Sequence, residues 1–168
     1  MATELYDITV PAFLRGFAAM SAFLAKGEQW ATDNGVDPSE LLTAKLYDDM
    51  APLTSQVQRA SDSAKFTVVR IGGVDSVAMP DEETTFADLQ ARIAKTVDLL
   101  KSVPPEAMNG QEGKAITLPT PNRTLEFTGQ SYVLGFVLPN FYFHVTTAYA
   151  ILRMKGVPVG KMDYLGGV

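Results

Sequence analysis

The sequence contains no cysteine, one histidine and one tryptophan. Without cysteine there is no disulfide framework, no thiolate metal site and no cysteine nucleophile, a composition that suits a reducing compartment. Basic residues are also short: 14 Lys and Arg stand against 19 Asp and Glu, for a formal net charge of -5 and a pI of about 4.8. A nucleic-acid partner needs a basic stripe to neutralise phosphates, and none is present, so no nucleic-acid partner is expected. No uninterrupted apolar run reaches the roughly 18 residues of a membrane span, and Met1 to Asp7 carries acid where a signal peptide carries base. The expectation is a soluble, cytoplasmic protein with no membrane partner. Internal repeats, low-complexity segments and long linkers are missing as well, so residues 1–168 are read as a single domain.

What is present is mostly helical period. Leu5, Ile8, Phe13, Phe17, Met20 and Leu24, with Val10 and Leu14, mark a first long helix that stops at Asn34-Gly35, where Gly35 suits a left-handed cap; Pro11 falls near its first turn. Residues 35–39 read as a loop. Leu46, Met50, Leu53, Val57, Ala60, Ala64, Val68 and Ile71 alternate steps of three and four, so a second helix runs to Gly72-Gly73, either starting near Pro52 or bending there. An irregular acidic crossing, Val74 to Glu83, leads to a third helix capped by Thr84 or Thr85. Phe86, Leu89, Ile93, Val97 and Leu100 form its buried stripe, and Pro104-Pro105 ends it. The period then changes. Ala115 to Leu118 and Thr124 to Phe127 flank Pro-Thr-Pro-Asn-Arg, a short β-hairpin. The last helix, about Gln130 to Lys155, meets Pro139, whose ring would press on the Gly135 carbonyl, so a kink or restart is expected. After it comes a glycine-rich tail, Val159 to Val168, with Tyr164 and Leu165 as anchors. Four amphipathic helices without a core-forming strand pattern predict an all-α four-helix bundle with a small hairpin inserted before the last long helix.

The candidate chemistry gathers on that last helix. Phe141, His144, Val145, Ala148, Ile151 and Leu152 share one face, so the single histidine lies on an apolar stripe, either packed with its nitrogens satisfied or used as acid, base or ligand. Asn140 lies one turn before it. Gln56 adjoins the core stripe of the second helix and could hydrogen-bond His144. Phe141, Tyr142, Phe143 and Tyr149 surround the histidine on every helix face, more than a two-helix contact requires, so some should face a ligand or a second subunit. Asp48 and Asp49 read as a solvated acidic turn, and Asp62 with Lys65 as a surface pair of little energetic weight.

Leu138-Pro139-Asn140-Phe141-Tyr142-Phe143-His144-Val145-Thr146-Thr147-Ala148-Tyr149, then Ile151-Leu152-Arg153, Gly156 to Lys161 and Asp163-Tyr164-Leu165, resemble the DUF1993 family. Asp49 to Leu53 and Gln56 to Asp62 match it too. That family is grouped with the DinB/YfiT-like metalloenzyme superfamily, whose members are four-helix bundles that commonly dimerise, so the resemblance implies a homodimer. In its metal-binding members two histidines four apart on the last long helix and a third on the second helix hold a divalent metal, and some transfer low-molecular-weight thiols. The resemblance places His144 at the second of the paired histidines, Asn140 at the first, and Gln56 or Gln58 near the third. One imidazole and two amides make a zinc or nickel site disfavoured, because amide oxygens are weak donors for such metals.

The first expectation is therefore a cleft with no metal or other cofactor that binds a small, mostly apolar molecule, with His144, Asn140 and Gln56 as polar contacts and Tyr142 or Tyr149 enclosing it. The alternatives are an enzyme using His144 as general acid/base, an isomerase, dehydratase or thiol transferase, and a divalent-metal-dependent transferase or hydrolase recruiting Asp48, Asp49 or Asp62.

Overall fold

The computed structural model describes residues 3–166; Met1, Ala2, Gly167 and Val168, the ends of the expected domain and tail, lie outside the described residues. Helix α1 spans Leu5–Asn34 and closes at Gly35, whose φ of 64° is a left-handed cap. Because α1 starts at Leu5, Pro11 falls in its second turn instead of its first; the ring projects on the exposed side. The expected loop over residues 35–39 gives way at Pro38 to a short helix, α2 (Pro38–Leu42), started by Asp37, which accepts from the Ser39 amide. Pro52 resolves the second helix. It is the N-cap of α3 (Leu53–Gly72), and Leu46 to Met50 turn away before it. Thr85 caps α4 (Phe86–Lys101), with Asp88 closing the reciprocal capping box.

A short α5 (Pro105–Met108) leads to the hairpin, β1 (Ala115–Pro119) paired antiparallel with β2 (Thr124–Thr128). Lys114, just before β1, donates to the Ile71 carbonyl at 2.9 Å and so satisfies the end of α3. The last helix is continuous but not uniform: α6 (Gly129–Tyr132), a π-turn (Val133–Val137) and α7 (Leu138–Met154). Pro139 explains the π-turn. Proline has no N–H to donate and crowds the carbonyl four residues back; widening the preceding turn by one residue moves that carbonyl aside. Part of the tail is helical. Lys161–Leu165 forms α8, where Tyr164 accepts from Thr146 at 3.0 Å, its ring set edge-on to Tyr149, and Asp163 pairs with Lys26 of α1.

α1, α4, α3 and α7 pack in that cyclic order, a four-helix bundle with the hairpin and the short helices at its ends. The predicted stripes are the buried ones: Phe13, Phe17, Met20 and Leu24 of α1 meet Leu53, Val57, Ala60, Ala64 and Val68 of α3, Leu89 of α4, and Phe141, Ala148 and Leu152 of α7 in one cluster. Phe141 is central, its ring 4.9 Å from Phe13 and 5.3 Å from Phe17, both edge-on. By length and composition alone α1 passes for a membrane span, with a window of mean hydropathy 1.5; half of that window is buried inside the bundle.

The expectation of a weak surface pair at Asp62 and Lys65 needs correction. Lys65 is only 5% exposed, and Asp62 bridges it at 3.0 Å to Arg92 at 3.1 Å. Arg92, 4% exposed, also grips Asp81 and Glu83, each at 2.9 Å, and the Pro80 carbonyl. The acidic crossing is thereby fastened to α3 and α4. Two of its acids, Asp81 and Glu83, counter one buried guanidinium, which explains their place.

Candidate functional site

α3 and the last helix run antiparallel, as three cross-links show: Gln56 to His144 and Ser63 to Asn140 of α7, and Arg70 to Tyr132 of α6. Between them lies a cleft of about 390 Å³. Its α3 wall is Arg59, Asp62, Ser63, Phe66 and Arg70. Its other wall is Tyr132, Phe136, Val137, Asn140 and His144, with Leu118 of the hairpin closing one end. The π-turn makes the second wall possible. In a straight α-helix the twelve residues from Tyr132 to His144 turn them about 120° apart; a π-turn that absorbs one residue brings them back to about 20°.

His144 is 6% exposed and Gln56 is 1% exposed. Gln56 Nε2 donates to the Ala51 carbonyl at 2.9 Å, which turns its Oε1 towards His144 Nδ1 at 2.8 Å. An amide oxygen only accepts, so Nδ1 carries the proton and Nε2 keeps its lone pair. Nε2 has no hydrogen-bond partner among the described residues and is the nitrogen left for the cleft. Burial, reinforced by the Arg59 guanidinium, pushes the His144 pKa down to about 4. The imidazole is therefore neutral at pH 7, an acceptor with a fixed tautomer. Asn140 donates through Nδ2 to Ser63 Oγ at 2.7 Å. Burial raises the Tyr132 phenol above its usual pKa, against the opposing pull of Arg70.

Of the residues expected at this site, His144 and Asn140 line the cleft, and Gln56 stands behind the imidazole and orients it. Gln58 does not join them; it donates to Glu83 at 2.8 Å on the crossing side of α3. Tyr142 and Tyr149 are not brought to the cleft either. Tyr142 packs edge-on against Phe141 and accepts from Arg15 at 3.4 Å, while Tyr149 lies between Phe23 and Tyr164. Both sit on the α1 and α8 side of α7, because residues two before and five after His144 point away from it at 100° per residue. Of the four neighbouring aromatics only Phe143 is well exposed, at 53%. Sequence reasoning passed over Arg59, Phe66, Arg70, Tyr132 and Phe136. The α3 members were within reach, since 59, 63, 66 and 70 follow the steps of four, three and four that define a second face beside the core stripe.

The family model described as "Domain of unknown function (DUF1993)" matches residues 5–165. The chain belongs to the DUF1993 family. Among solved structures, the DUF1993 chain is similar to a DinB family member protein from Shewanella denitrificans, a crystal structure at 1.83 Å resolution. The two are 37% identical with a TM-score of 0.88, over 98% of this chain and 93% of the other. No curated protein matches. The all-α bundle of this DUF1993 chain is thus a DinB-like fold.

The divalent metal that the DinB likeness implies does not fit the residues present. His144 offers one lone pair, Nε2; the Asn140 amide nitrogen donates to Ser63, and the Gln56 oxygen is occupied by the imidazole N–H. Asp62, the nearest carboxylate, is paired with Lys65 and Arg92, and the Arg59 cation faces the same space. Asp48 and Asp49 are exposed in the turn before α3 and do not line the cleft. Among the described residues no three His, Asp or Glu side chains gather as a ligand set. A metal bound here would have one good donor where stable sites use three or four.

Proposed function

We propose that this DUF1993 protein binds a small, mostly apolar molecule in the cleft between α3 and the last helix, without a metal, and that His144 Nε2 accepts a hydrogen bond from it. The supporting observation is the imidazole itself. It is buried, neutral and locked by Gln56 with its unprotonated nitrogen left for an aromatic-lined space of ligand size. We place this binding in a cytoplasmic homodimer, a setting favoured by the lack of cysteine and by the exposed Phe143 on α7.

Acid/base catalysis by His144 is the weaker reading. With a pKa of about 4 the protonated ring is roughly one molecule in a thousand at pH 7, and the neutral ring is a weaker base than ordinary histidine. A hydrogen-bond acceptor needs neither protonation nor basic strength.

The test uses ¹⁵N NMR of protein prepared without a histidine tag, so that the one imidazole is the only one observed. The expected spectrum is the Nδ1–H tautomer. Addition of nonan-1-ol, a neutral apolar chain with one donor, should move the Nε2 signal saturably. His144→Gln should weaken that binding about tenfold while the fold persists, and Tyr149→Phe should leave it unchanged. Metal analysis of the same preparation should find below about a tenth of an equivalent of zinc or nickel. An Nε2 signal that ignores the alcohol, or near-stoichiometric metal, refutes the proposal.

A further inference from the structure

The α3 wall of the cleft carries two cations with no acid to answer them. Arg59 and Arg70 stand eleven residues apart on one face of α3, roughly 16 Å along its axis, with Ser63 and Phe66 between them. Neither forms an ion pair among the described residues. Asp62 is the one carboxylate lining the cleft, and Lys65 and Arg92 already neutralise it. In a chain of net charge -5 the cleft is left positive.

The two arginines are held differently. Arg59 is exposed. Arg70 donates from Nη1 to the Tyr132 hydroxyl at 2.7 Å, with its guanidinium 4.8 Å from the Phe66 ring centre and 5.8 Å from that of Tyr132. One of its five N–H groups is used there; the rest of the fork stays available. A cation in the last turn of α3 does complement the helix dipole, but that needs only charge near the helix end, and Lys114 already serves the Ile71 carbonyl. Docking on Tyr132 instead orders the guanidinium at the rim of an apolar cleft, which lowers the entropy lost on binding an anion.

We propose that the ligand of this cleft is an amphipathic carboxylate, with its head on Arg70 at the hairpin end, its apolar body lying over Phe66 and Phe136, and a donor group at its far end for His144 Nε2. The proposal rests on the small-molecule reading above and adds the charge, the orientation and the anchoring residue. A carboxylate is chosen because a single ordered guanidinium offers one planar fork, which matches two carboxylate oxygens; a phosphate dianion calls for more donors than the rim supplies. An ammonium head would meet two cations and no free acid.

The experiment compares nonanoate, which tests the head on Arg70 alone, nonan-1-ol, whose hydroxyl can donate to His144, and nonylamine by calorimetry, with the His144 ¹⁵N signal followed in parallel. Nonanoate should bind at least roughly tenfold more tightly than the alcohol, with the amine weakest, and the advantage should shrink as salt rises. Arg70→Gln should bring acid and alcohol within about threefold of each other, whereas Arg70→Lys, which keeps the charge and loses the fork, should retain part of the preference. Arg59→Gln should weaken nonanoate by no more than about threefold, as for an exposed charge. The wild-type ratio of acid to alcohol decides the case even if Arg70→Gln fails to fold. Equal affinities with a moving His144 signal overturn the anion assignment and leave the small-molecule reading standing. A His144 signal unmoved by all three compounds overturns both. A larger loss from Arg59→Gln than from Arg70→Gln overturns the choice of anchor.

Discussion

Stability between pH 7 and 5 offers a direct measure of how His144 is buried, because this chain has a single histidine and no cysteine, and no other side chain ordinarily titrates there. In the unfolded chain the imidazole has a pKa near 6.5; in the fold it is pushed down to about 4. Between those values the unfolded state binds one proton that the folded state refuses. Stability therefore rises with pH in this window: it is fully present above about 6.5 and is lost as pH falls towards 4. The limiting slope is about 1.4 kcal/mol per pH unit, and with half-protonation of the unfolded imidazole at pH 6.5 the loss comes to about 2 kcal/mol between pH 7 and 5. That is a large share of the roughly 5–15 kcal/mol typical of a domain. Carboxylates held below their usual range, such as Glu83 with its Gln58 and Arg92 partners, add a loss of the same sign, but only at more acid pH. The assay is urea unfolding at pH 7, 6, 5.5 and 5 for the wild type and for His144→Gln, whose amide N–H can still donate to Gln56. The wild type should lose about 2 kcal/mol and the variant almost none. A flat wild-type profile, or the same slope in the variant, would show that the ring is not enclosed in neutral form.

Two further expectations concern the frame around the cleft. Gly16 of α1 faces the ring of Phe141, where an added Cβ would lie 2.7 Å from two ring carbons, so Gly16→Ala should cost about 1–3 kcal/mol and lower the melting temperature despite alanine's better helix propensity. An unchanged or raised melting temperature would mean that Phe141 can move aside freely. Arg92→Met should cost about 3 kcal/mol by leaving Asp62 and Glu83 without their shared cation, and hydrogen exchange should quicken in residues 74–83 while the centre of α1 stays protected. Uniform exchange across the chain, or no loss of stability, would argue that the crossing is held by other contacts.

Much of the candidate site was legible as residue types but not as an arrangement. Gln56 could be paired with His144 because both adjoin apolar stripes of period 3.6, and such stripes must face each other in a bundle. Tyr142 and Tyr149 were drawn in by proximity along the chain; helical rotation turns them towards α1 and α8, where Phe141, Phe23 and Tyr164 receive them. Lys65 and Arg92 could not be recognised as buried cations, since a charge's burial depends on partners thirty residues away, as Asp62 is from Arg92.

The sequence by itself determined the four long helices, their buried faces and the interruption at Pro139, because apolar period, capping side chains and a missing amide proton act within a few residues of one another. Only the tertiary structure decided what the interruption does. Pro139 demands relief of the preceding turn, and the π-turn that supplies it rotates Tyr132 onto the face of Asn140 and His144. Tyr132 then meets Arg70, 62 residues away in the chain, and two helices enclose one cleft. The proline is a local fact; the alignment depends on how the last helix packs against α3.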